Sequence, residues 1–302
     1  METSWLNFIT NWDIPPAVTA ALVAAGLIYM RGWHALRRTR PHQIPEWRLA
    51  SFVGGLFAIF VAVSSSLDTY SETLLFMHMA QHFVLMSVAP LLIVLGSPFV
   101  PMLRGLPRPI VSRIGGPIFR SSIAHALQDL FSQLPFAWVS MNLAYVCWHI
   151  PRAYEFALSS EAWHNIEHLC FFLTSILFWW PIVLPWPSRR RFETWMLIPY
   201  LLLADLANTA VSAFLCFSGR LLYPSYAIVE RPFGINPLTD QIAAGAFMWV
   251  CGSIVFLVPA AVLTMRSLMS RRLVQPAHSM ERPHQLPVRR RMIKRSPRLP
   301  LT

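Results

Sequence analysis

The stretch "LLFMHMAQHFVLMSVAPLLIVLG", residues 74–96, decides how this chain folds. It carries no Asp, Glu, Lys or Arg and is long enough to cross a bilayer, which takes about 20 apolar residues in a helix. Yet it holds two histidines four apart, His78 and His82. An imidazole costs free energy in hydrocarbon, so an ionisable side chain at that depth marks a functional site whose partner has to be found.

The rest of the chain has the same character. Of 302 residues, 55% are apolar and 13% charged, against about 25% charged in soluble domains. Apolar runs near 15–33, 49–67, 74–98, 135–150, 163–185, 194–217 and 240–265 each suit a span of roughly 17–25 residues. This predicts an all-α, polytopic transmembrane helical bundle of seven spans. The bundle occupies residues 1–265, and a basic tail, 266–302, is expected to be disordered on the cytoplasmic side. The start, "METSWLNFITNWDIPP", has no basic stretch and does not read as a cleavable signal peptide. Cys147, Cys170, Cys216 and Cys251 lie in apolar runs without a CxxC pair and read as small buried hydrophobes.

Basic residues orient the bundle. Five arginines lie between Arg31 and Arg48, four between Arg104 and Arg120 and three in "SRRRFE", and the tail from Arg266 holds nine more with Lys294. The alternate joints hold only Arg152, Arg220 and Arg231. The positive-inside rule then requires the N-terminus outside and the C-terminus in the cytoplasm. The net charge of +11 therefore belongs to cytoplasmic joints and lipid headgroups, and nucleic acid is not a partner. Within the joint 99–133, "SSIAHALQDLFSQL" reads as a short interfacial helix. In the outer joint, Asn236 followed by Pro237 predicts a helix start.

The topology sorts the ten histidines. His34, His42, His125, His278 and His284 fall in the basic joints and tail. His78, His82, His149, His164 and His168 fall at the start of the third span, the end of the fourth and the start of the fifth. All three ends face outside. Two of them carry H-x-x-x-H, "HMAQH" and "HNIEH", a spacing that puts both rings on one helix face. Two such pairs on facing helices make a four-ligand metal site, with His149 a fifth ligand or a neighbour. Imidazole suits copper, zinc, iron and nickel, and the flanking Met77, Met79 and Met86 favour Cu(I). Glu167 and Asp240 are expected to accept from ring N–H groups. Met248 and Cys251 share a face of the last span and offer further soft contacts. Three alternatives stay open: haem held by one histidine of each pair, a hydrogen-bonded set that holds helices together, and a proton-handling role. Asp205 and Asn208, mid-membrane in the sixth span, are expected to hydrogen-bond to another helix.

No Walker loop, GxSxG elbow or dinucleotide fingerprint occurs, and Lys294 in the tail leaves no lysine for a retinal Schiff base. The blocks "MHMAQHFVLMSVAPLLIVLGSP", "CWHIPRAYEFAL", "WHNIEHLCFFLTSILFWWPIV", "LLYPSYA" and "GINPLTDQIAAGAFMWVCGSIVFLV" together resemble the CtaG family, polytopic bacterial assembly factors for caa-type cytochrome c oxidases. The similarity runs over about residues 50–265 and leaves out the basic tail. It implies a plasma-membrane protein without enzymatic activity that helps to build an active haem–copper oxidase, with oxidase subunits as partners and copper handled on the outer face. A copper transport or tolerance role apart from oxidase assembly is the remaining rival.

Overall fold

The computed structural model describes residues 12–115, 121–188, 190–229 and 234–274. Every regular element among them is helical. The principal helices are α1 (Pro16–Arg37), α2 (Glu46–Ser64), α3 (Leu75–Leu95), α4 (Leu134–His149), α5 (Pro151–Leu158), α6 (Glu161–Val183), α7 (Leu197–Phe217) and α8 (Pro237–Val274). Short helices Ser66–Ser71, Phe99–Gly105 and Ser122–Phe131 lie between them, the last within the expected interfacial segment. The chain divides into two compact units, Met1–Thr264 and Met265–Thr302. The described part of the second is the end of α8, residues 265–274, so the expectation for the basic tail lies outside the described residues.

Among the described residues, six helices, α1, α2, α3, α6, α7 and α8, are long and apolar enough to cross a membrane. The surface agrees with that reading, for large apolar side chains such as Phe57 (61% exposed), Leu206 (63%) and Phe217 (76%) face outward. A protein in water would bury such side chains; lipid accepts them. The fourth expected span, α4, has 16 residues and a length of about 24 Å at 1.5 Å per residue. Trp138 near its start donates to the Tyr200 carbonyl at the start of α7 (3.1 Å), and His149 at its other end sits beside α3.

Local sequence sets each helix end near the histidines. Pro151 ends α4 because it has no N–H and forces Ile150 out of the helical region, at φ −64° and ψ 128°. Ser160 caps α6 by accepting from the Trp163 N–H. Asn236 accepts from the Leu238 N–H (2.9 Å) and Pro237 opens α8, as expected from the pair. In α3, the residues Val84–Val88 form a π-helical stretch just before Pro90. A proline ring collides with the carbonyl four residues back, here Met86, and widening the turn relieves the clash. The cysteines differ from expectation. Cys147 is exposed and Cys170, Cys216 and Cys251 are partly exposed, because their helix faces point towards lipid rather than the core.

Close packing is concentrated where glycine permits it. A side chain at Gly32 of α1 would meet the Pro101 carbonyl oxygen at 1.8 Å, and one at Gly105 would meet that of Ile28 at the same distance. Neither position tolerates a β-carbon, so the backbones of α1 and the Phe99–Gly105 helix touch. The helix α3 is the enclosed one: 56% of its spanning window is buried, against 17% for α1. The histidine pair that opened the sequence therefore sits on the central helix.

Candidate metal centre

His78 and His82 project from the first turns of α3, and His164 and His168 from those of α6. The rings form a closed quadrilateral. Centroids are 4.2 Å apart within each pair, 5.0 Å from His78 to His164 and 5.1 Å from His82 to His168. One ring nitrogen from each of the four lies within 4.8 Å of the other three. His78 and His82 are buried and the α6 pair is partly buried.

Hydrogen bonds around the cluster fix what the rings present. The Tyr226 hydroxyl contacts the Ser71 carbonyl (2.8 Å), His78 Nδ1 (3.1 Å) and the Tyr154 hydroxyl (2.9 Å). A carbonyl only accepts, so the Tyr226 proton goes to Ser71 and His78 Nδ1 is the donor. His78 Nε2 then carries the bare lone pair, and it lies 2.9 Å from His82 Nε2. That contact is either one hydrogen bond from His82 to His78 or two lone pairs turned on one cation. His82 Nδ1, His164 Nε2 and His168 Nε2 are buried nitrogens without a hydrogen-bond partner.

Glu167 sits between the α6 histidines on the same face of the helix. Its side chain is fully buried, neither carboxylate oxygen has a hydrogen-bond partner, and Oε1 is 4.0 Å from His82 Nε2. An uncompensated carboxylate is very costly in an apolar interior. Four imidazoles with bare nitrogens and one unpaired carboxylate are what a cation would complete. The donor set fits a metal ion.

The other expected site residues fall differently. His149 stands outside the quadrilateral, its ring centroid 6.2 Å from that of His82. Asp240 accepts from the Leu75 (2.8 Å) and Phe76 (3.1 Å) N–H groups and so caps the start of α3 from α8. Met79 is buried beside the cluster. Asn208 bridges two helices, accepting from the Tyr145 hydroxyl (3.1 Å) and donating to the Met248 carbonyl (3.3 Å). Asp205 Oδ1 finds no hydrogen-bond partner, contrary to the expectation for that residue. The sequence reading did not single out Tyr154, Tyr223 and Tyr226. Tyr223 donates to the His149 carbonyl (2.9 Å), and Glu155 accepts from the Ser225 N–H (3.2 Å) to hold the segment that presents Tyr226. The signals that pointed to them were "LLYPSYA", which holds Tyr223 and Tyr226, and "CWHIPRAYEFAL", which holds Tyr154.

Fold and cluster define a class of protein: a multi-pass helical membrane protein with four imidazoles gathered at one end of its bundle. The chain belongs to the cytochrome c oxidase caa3 assembly factor family (Caa3_CtaG), whose model matches residues 27–270. It is 26% identical over 255 residues to an uncharacterised protein of Mycobacterium leprae (strain TN), a match covering 81% of this chain and 37% of that protein. An uncharacterised protein of Mycobacterium bovis (strain ATCC BAA-935 / AF2122/97) is 26% identical over 278 residues, covering 87% of this chain and 40% of the relative. The chain spans about two fifths of the length of these curated relatives. No solved structure matches it.

Proposed function

We propose that this protein holds copper as cargo on His78, His82, His164 and His168 and hands it to subunits of cytochrome c oxidase during assembly. Membership of an oxidase assembly family supplies the process. The observation that carries the copper reading is the convergence of four imidazole nitrogens within 4.8 Å beside a buried, unpaired Glu167. The 2.9 Å of the closest nitrogen pair and the 4.8 Å limit bracket the edge of about 3.3 Å that four ligands at roughly 2.0–2.1 Å define around a tetrahedral ion.

Each residue has a task in this reading. Tyr226 holds the His78 Nδ1–H and turns the Nε2 lone pair inward. Asp240 fixes the first turn of α3, which carries His78 and leads into the turn that carries His82. Glu167 supplies the negative charge that makes a cation welcome among neutral rings. Loading and release are ligand exchange, with no covalent bond in the cargo made or broken, so no catalytic step is assigned.

The topology in this reading has seven crossings, with α4 as the short one, the N-terminus outside and the histidine end facing out of the bacterial plasma membrane. A reporter fused after α3 and after α4 tests it, and the two fusions should report opposite sides. For the cargo, the purified chain should carry copper that His164→Ala/His168→Ala lacks. Unchanged copper in that variant, or a Soret band in the wild type, would overturn the reading. Deleting the gene should lower oxidase activity and oxidase copper under copper limitation; survival of both would remove the assembly role of the cargo.

A further inference from the structure

We infer a second metal site, selective for Cu(I), in the cavity behind the histidine quadrilateral, built by Met79, Met86, Met141 and Met248 with His149 and His82. These six residues line one cavity of ≈ 40 Å³ bounded by α3, α4, α7 and α8. Each of the four methionines is at most 6% exposed. Methionine is a common gap filler in cores, and four fillers converging on one spot would close it. Here the gap stays open.

His149 gives the cavity a ligand's lone pair. Its Nδ1 lies 2.7 Å from the Tyr145 carbonyl oxygen, which only accepts, so Nδ1 carries the proton. Nε2 is therefore the bare nitrogen; it is buried and has no hydrogen-bond partner. A neutral imidazole with its lone pair unengaged, among thioethers, is a soft donor set, and soft donors select Cu(I). Charge points the same way. The cost of dehydrating an ion grows steeply with its charge, and neutral donors in an apolar interior offset a monocation far better than a dication. The space exceeds the roughly 10–15 Å³ that one water-sized occupant needs and admits no organic ligand.

The site draws nothing from His78, His164 or His168 and stands on its own observations. His82 belongs to both places, since its ring neighbours His78 and His168 on one side and His149 on the other. Passage of Cu(I) between the two would be ligand exchange at His82, with no change of oxidation state. Met86 lies in the π-helical stretch that follows, a distortion frequent at functional sites.

The test is anaerobic Cu(I) titration of the full chain in detergent, with X-ray absorption at the copper edge. The wild type should bind two Cu(I), one of them with sulfur neighbours. Met86→Leu/Met141→Leu/Met248→Leu, which conserves side-chain volume, should bind one and lose the sulfur scattering. His164→Ala/His168→Ala should lose the other copper and keep the sulfur-ligated one. Wild-type copper without sulfur neighbours, or a leucine triple variant with unchanged stoichiometry and sulfur scattering, overturns the second site and leaves the quadrilateral standing. A histidine variant that still binds two overturns the quadrilateral and leaves the cavity site. Should the leucine variant not fold, the selenomethionine-labelled wild type decides alone: selenium–copper scattering at the selenium edge supports the site, and its absence refutes it.

Discussion

The polar clusters described inside this bundle are finished in two ways. Around Asn208, the side chain accepts from Tyr145, donates to the α8 backbone, and is faced by Gly252, where a β-carbon would come within 2.5 Å of the amide. Gln241 is similar: its Oε1 accepts from the Leu222 N–H (2.7 Å) and its Nε2 donates towards the Leu215 and Arg220 carbonyls. At the histidine end, by contrast, four imidazoles and a carboxylate are brought together and left with unpartnered atoms. In hydrocarbon each such atom is a standing cost. The closed clusters hold helices together, whereas the open one is shaped for something that arrives.

The largest effects should therefore fall on the open cluster. His78→Ala/His82→Ala removes half of the quadrilateral and should abolish the copper held there, leaving at most the sulfur-ligated ion, measured by metal analysis after dialysis. Copper retained at the wild-type stoichiometry would mean that the open cluster is not the site. Glu167→Gln sharpens the comparison further because its two readouts should move in opposite directions. Copper affinity should fall by about 10–100-fold, seen in competition against a chelator. The metal-free protein should become more stable to heating, by about 1 kcal/mol or more, since a neutral amide replaces an unpaired buried carboxylate. A carboxylate that served only structure would lower stability when replaced and leave the affinity alone.

Both clusters were partly legible in the sequence, for different reasons. The two H-x-x-x-H pairs and the alternation of arginines along the chain suffice to bring α3 and α6 to one end, because each depends on helical periodicity and charge, which are local. The apolar surface likewise announced the membrane. The capping role of Asp240 was not legible, because the partners it meets there are backbone N–H groups at the start of α3. No periodicity reveals a cap supplied from a helix 165 residues away. His149 was grouped with the four because it shares their level. Its position aside depends on the Pro151 break and on the rotation of α4, which only packing decides. The tyrosines were missed since a hydroxyl in a joint carries no pattern of its own.

Tyr226 and Asp240 support the open cluster without belonging to it, and their effects should be smaller. Tyr226→Phe leaves the His78 Nδ1–H and the Tyr154 hydroxyl without their shared acceptor. Copper affinity should drop by roughly 10-fold, with stoichiometry intact, in the same chelator competition. An unchanged affinity would show that the His78 tautomer is not set from this side. Asp240→Asn keeps one oxygen at the start of α3 and loses the charge, so thermal unfolding in detergent should show a loss of about 1–2 kcal/mol. Its copper stoichiometry should not change.

The smallest effect should come from the closed cluster, and it is the one that separates the two kinds of site. Asn208→Ala deletes the acceptor of the Tyr145 hydroxyl and the donor to the Met248 carbonyl. Hydrogen bonds between helices in a membrane average about 0.6 kcal/mol each, because the separated helices find other partners. The loss should thus be about 1 kcal/mol in thermal unfolding. Copper binding at the quadrilateral should be unaffected, since the bonds lost tie α7 to α4 and α8 and leave α3 and α6 in register. If Asn208→Ala lowered copper stoichiometry as much as His78→Ala/His82→Ala, the polar interior would be one coupled unit, and the distinction between finished and open clusters would fall.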